Sequence, residues 1–90
     1  MNNARRKEIQ RLMKKIESVT EMLEGIKAEI DTVFEEETEY MENIPENLQG
    51  SERYEKAENA CDALAEVLDH IDDAISAIED ATSDMEEACE

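Results

Sequence analysis

The chain has 90 residues, and 26 Asp and Glu against 9 Lys and Arg leave a formal charge of −17. Aromatics make up 3%, Trp is absent, and there are only two Gly and one Pro. The side chains that build strands and their turns are therefore scarce, which excludes a β-sandwich or barrel. Hydrophobic residues still reach 40%, enough to argue for folding rather than disorder.

The first segment carries a regular heptad. Ile9, Ile16, Leu23, Ile30 and Ile44 share one position, with Glu37 the single polar intruder. Leu12, Val19, Ile26, Val33 and Tyr40 fill the position three residues on. A strict seven-residue apolar repeat predicts coiled-coil packing, here a helix over about residues 3–43. Gly25 falls outside that seam and should cost about 1 kcal/mol against Ala. Nothing in the sequence explains it.

Pro45 ends this helix, because a proline pushes its predecessor, Ile44, out of the α region. Residues 46–49 are expected to form one helical turn starting at Pro45, closed by Gly50 in a left-handed conformation. Ser51 is a good N-cap for a second helix over about residues 52–88. The seam of that helix is Ala57, Leu64, Ile71, Ile78 and Met85. Ala60, Val67, Ala74, Ala81 and Ala88 flank it on one side, and Tyr54, Cys61, Leu68, Ile75 and Cys89 on the other.

Two helices of similar length with a short tip (about residues 44–51) predict an all-α antiparallel hairpin, one domain over 1–90. In the register that centres on the Pro-Gly tip, Ile9 faces Met85, Ile16 faces Ile78, Leu23 faces Ile71 and Ile30 faces Leu64. The same register would bring the rings of Tyr40 and Tyr54 together. Charge agrees. Arg5, Arg6, Lys7, Arg11, Lys14 and Lys15 oppose the dipole of helix one. The hairpin sets them beside Glu79, Asp80, Asp84, Glu86, Glu87 and Glu90 at the end of helix two. Met13, Met22, Phe34, Met41, Leu68 and Ile75 flank the seam and would stay wet in a lone hairpin. A homodimer forming a four-helix bundle would cover them.

Chemistry finds little to stand on. The only histidine, His70, has Val67 three residues before it, so the Glu-x-x-His pair of di-iron bundles is absent. Glu35-Glu36-Glu37-Thr38-Glu39 and Glu66-Val67-Leu68-Asp69 spell the magnesium motif of helical nucleotide pyrophosphohydrolases. The hairpin register offsets the two halves by roughly 16 Å along the rod. There is no phosphate loop, and no Ser or Cys with a His to activate it. No enzyme, metal or cofactor is expected. Cys61 and Cys89 lie 28 positions apart on one helix, too far to pair, and suit a reducing compartment. The longest apolar run is Ala63-Leu64-Ala65, so no membrane span is expected and a cytoplasmic location is.

What remains is the acidic surface. Around the tip, Glu35, Glu36, Glu39, Glu42, Glu46, Glu52 and Glu55 meet only Arg53 and Lys56. Carboxylates on a rigid rod resemble the charge array of nucleic acid and could occupy a basic groove on another protein. The same charge argues against direct nucleic-acid binding. The alternative is a solvated surface on a scaffold hairpin that binds partners through its apolar flank.

The stretch from Glu42 to Glu58 (ENIPENLQGSERYEKAE), with the Ala- and Asp-rich helix after it, resembles small acidic helical-hairpin proteins of Firmicutes and of their phages and mobile elements. That resemblance lends no catalytic residues. It implies a phage-type, anti-defence inhibitor that mimics or blocks nucleic acid at a basic site of a host enzyme.

Overall fold

Asn2 opens the first helix: its Oδ1 accepts from the Arg5 N–H at 2.8 Å, satisfying one of the free amides of the first turn. In the computed structural model, which describes residues 1–90, α1 then runs unbroken over Asn3–Glu42. Asn43 caps it, and the Ile44 N–H bonds back to the Met41 carbonyl at 3.2 Å. Pro45, at φ −54° and ψ 142°, turns the chain out of the helix and starts a single 3-10 turn over Glu46–Leu48. Ser51 caps α2, Glu52–Ala88, its Oγ accepting from the Tyr54 N–H at 3.3 Å. Glu52 and Glu55 in the first turn of α2 favour its dipole. There is no strand.

One detail of the tip departs from expectation. Gly50 does not take a left-handed conformation, and no residue of the chain has a positive φ. The 3-10 turn closes by itself, with the Leu48 N–H on the Pro45 carbonyl at 2.8 Å. The Ser51 N–H then bonds to the Leu48 carbonyl at 3.0 Å. No αL residue is required to reverse the chain.

The two helices pack side by side into an antiparallel hairpin. Arg6 reaches the Cys89 carbonyl at the open end, Lys27 reaches Asp72 midway, and Arg53 reaches Tyr40 near the tip. The molecule is a rod of 69 × 16 × 13 Å with a radius of gyration of 20.2 Å, against about 12 Å for a globular chain of this length. Only Ile44, Ala57 and Cys61 are buried, all near the tip. Everywhere else the seam is half-buried, because a single neighbour can cover only one side of a helix.

The rows that meet differ in part from the expected seam. Ile9, Ile16, Leu23 and Ile30 face α2 as expected, joined by Ile44 at the tip. The second row of α1 at the contact is Met13, Thr20, Lys27, Phe34 and Met41, four residues on rather than three. On α2 the contact rows are Ala57, Leu64, Ile71, Ile78 and Met85 with Tyr54, Cys61, Leu68, Ile75, Thr82 and Cys89. Met13, Phe34, Met41, Leu68 and Ile75, expected to stay wet, are thus half-buried within the hairpin. Met22 alone of that group is exposed, at 66%.

Candidate functional site

The choice of rows leaves a different apolar face outside. Leu12, Val19, Ile26, Val33 and Tyr40 lie exposed along α1, from 37% at Leu12 to 51% at Val33. Along α2 the corresponding outer row is Ala60, Val67, Ala74, Ala81 and Ala88, with Val67 at 39%. In an antiparallel pair these two outer rows fall on the same side of the rod. Side-chain contacts place them there. Tyr40 and Arg53, one from each outer row, touch, and Ile26, Ile30, Val33 and Leu64 line one shallow groove with Glu29. Counting by sevens from the Tyr40–Arg53 contact sets Ile26 beside Val67 near the middle of the rod.

The Tyr40 ring therefore does not stack on Tyr54. The Arg53 Nε donates to the Tyr40 hydroxyl at 2.6 Å, and the guanidinium carbon stands 5.2 Å from the ring centroid. Tyr54 sits on the other side of the seam, in the row with Cys61 and Leu68.

The opposite side of the rod is polar. Lys27, half-buried in the contact, extends its ammonium to Asp72, and that hydrogen bond raises the lysine pKa above its ordinary value. Thr38 donates to the Phe34 carbonyl at 2.8 Å and lies 3.7 Å from the Cys61 Sγ. Near the open end, Lys7, Arg11 and Lys14 share a shallow groove with Glu17, Glu79 and Glu86, so the two signs largely cancel. The expected ion pairs between the basic start and the acidic end do not form. Arg6 instead donates to the Cys89 carbonyl at 3.0 Å, binding one of the free acceptors at the end of α2. Arg11 turns to Glu8 on its own helix, and that contact lowers the Glu8 pKa.

The acidic residues singled out at the tip, Glu35, Glu36, Glu39, Glu42, Glu46, Glu52 and Glu55, are all exposed. Their two basic neighbours are engaged locally, Lys56 with Glu52 at 3.2 Å and Arg53 with Tyr40. No three His, Cys, Asp or Glu side chains converge as a metal site would require. Both cysteines are free thiols, Cys61 buried and Cys89 half-buried. No helix is long and apolar enough to cross a membrane.

The outer row of α1 was legible as a heptad row, but its side of the helix was not. The signal that separates the two candidate rows lies on α2, where Tyr54, Leu68 and Ile75 fill the inner row and alanines fill the outer one. Comparison with known proteins found no matching family model, no matching curated protein and no matching solved structure.

Proposed function

We propose that this protein is a non-enzymatic binding module that engages another protein chain through the apolar face of its hairpin. The observation that carries this reading is the unbroken row Leu12, Val19, Ile26, Val33 and Tyr40, exposed at strict seven-residue spacing. Apolar rows at heptad spacing are what a docking helix reads. A purely solvating surface has no need of them, since isolated exposed apolar residues carry no such period. Its two free thiols suit a reducing compartment. The test is capture of binding partners by the wild-type hairpin and by a Val19→Glu/Val33→Glu double variant. Capture should persist at 500 mM salt for the wild type and be lost in the variant. Equal capture by both would overturn the reading.

A second reading rests on the charge at the tip. The seven exposed glutamates stand around two bases that are already engaged. Such a surface suits a basic groove on a nucleic-acid-handling or host-defence enzyme, which the hairpin would inhibit by occupying the place of nucleic acid. Here binding should weaken steeply between about 50 and 300 mM salt, as the Debye length shortens from roughly 14 to 6 Å. Changing Glu35, Glu36, Glu39 and Glu42 to Gln should abolish it. Insensitivity to both would leave the apolar face as the docking surface.

A further inference from the structure

We infer that the occupant of the apolar face is a second copy of this chain, docked face to face through a two-fold axis into a four-helix bundle. The inference rests on the apolar-face reading and names its partner. Three observations point to it, and each concerns a different property of the rod.

The first is area. The hairpin exposes 6670 Å², whereas a folded monomer of 10.3 kDa exposes roughly 5,400 Å². A face 16 Å wide over two-thirds of a 69 Å rod offers about 700 Å² to a partner. That approaches the ~800 Å² per partner of a stable interface.

The second is self-complementarity. A two-fold contact requires one surface patch to match itself. A two-fold axis across the rod at the level of Ile26 and Val67 sets Ile26 on Ile26 of the second copy. The same axis sets Val19 against its Val33 and Leu12 against its Tyr40. On α2 it sets Val67 on Val67 and Ala60 against Ala74. Each heptad row is thus returned onto itself in register, large side chains meeting large ones and the alanine row closing more tightly.

The third is charge. Residues 1–15 hold six bases against one acid, while the rest of the chain holds three bases against 25 acids. The axis across the rod brings the basic start of one α1 beside Glu39, Glu42 and Glu46 of the other copy, and a two-fold axis along the rod brings it beside Glu79, Glu86 and Glu90. The first axis also sets the end of one α2 on Glu52 and Glu55 of the other, and the second sets tip on tip. Opposite charges therefore meet in a pair of copies whichever axis relates them.

Sedimentation equilibrium at micromolar concentration should report twice the 10.3 kDa chain mass. A 10.3 kDa species would overturn the proposal. Orientation is read with Ile26→Cys in a Cys61→Ala/Cys89→Ala background. Under mild oxidation, covalent dimers through position 26 alone assign the axis across the rod, and dimers that form only when Ile26→Cys chains are mixed with Val67→Cys chains assign the axis along it. A dimer that links in neither case would overturn docking through this face. The capture test on Val19→Glu/Val33→Glu separates this failure from the broader one. A monomeric wild type whose partner capture is still lost in that variant keeps the apolar face and changes its occupant. A monomer whose capture is unaffected loses both readings.

Discussion

Arg53 and Tyr40 clasp across the hairpin close to its tip, the Arg53 Nε on the phenol oxygen at 2.6 Å and the guanidinium over the ring at 5.2 Å from its centroid. This is the one place where a charged side chain bridges the two outer rows, and it fixes the register in which those rows lie side by side. Replacing Arg53 with Ala should cost about 0.5–1 kcal/mol, the usual worth of an exposed cation–π contact. Arg53→Lys should recover only part of it, because an ammonium cannot hold the fork and the ring together. Urea denaturation followed by circular dichroism reads both, and an unchanged midpoint for Arg53→Ala would refute the clasp.

The tip is the best-packed part of the molecule, and substitutions there should be the most costly. Ile44, 2% exposed, loses about 2–4 kcal/mol on change to Ala. Ala57, also 2% exposed, leaves no room for Leu, and overpacking should cost about 1–3 kcal/mol. Removing the Ser51 cap with Ala should cost about 1 kcal/mol. Equal and small losses at all three would contradict a core concentrated at the tip.

Glu37 occupies a seam position where every other member of its row is Ile or Leu. It is half-buried, in the row that faces Ala57 and Leu64. Glu37→Ile should stabilise the hairpin by about 1 kcal/mol, through burial of roughly one to two methylene equivalents. The same change should relax the register, since a polar residue in a seam specifies alignment at a cost in stability. A higher melting temperature measures the first effect, and broadened amide NMR signals along α1 measure the second.

The Lys27–Asp72 contact makes a pH prediction with a definite sign. The contact raises the lysine pKa in the folded state. Its stabilising contribution is therefore complete below the ordinary lysine value of 10.5 and is lost as pH rises through the higher folded value. Asp72→Asn should lower the melting temperature at pH 8, and the gap between the two proteins should narrow above pH 10.5 and close once pH passes the raised folded value. A gap that persists there would assign the loss to something other than this pair.

A net charge of −17 on so thin a rod should make stability rise with salt. Raising sodium chloride from about 20 to 500 mM shortens the Debye length from roughly 21 to 4 Å and screens the repulsion among the acids. Thermal melts should shift upward by several degrees. A flat or falling melting temperature would mean that the few attractive pairs outweigh the repulsion.

The helix boundaries, the proline-led tip, the Ser51 cap and the row Ile9, Ile16, Leu23, Ile30 and Ile44 were all legible in the sequence. Each depends on local chemistry, such as a missing N–H, a hydroxyl that reaches an amide, or a seven-residue period along one chain. The row that joins Ile9 and Ile16 in the contact was not legible, because α1 offers apolar residues on both sides of that row. Its Leu12–Tyr40 side is in fact the more apolar of the two. Packing chose the other side, where α2 supplies Tyr54, Leu68 and Ile75 and can fill the space that Thr20 and Lys27 leave. On the rejected side α2 presents mainly alanines, which bury little against α1. A single helix cannot state that preference, since it belongs to the pair, and only the tertiary structure decided which apolar face was left for a partner.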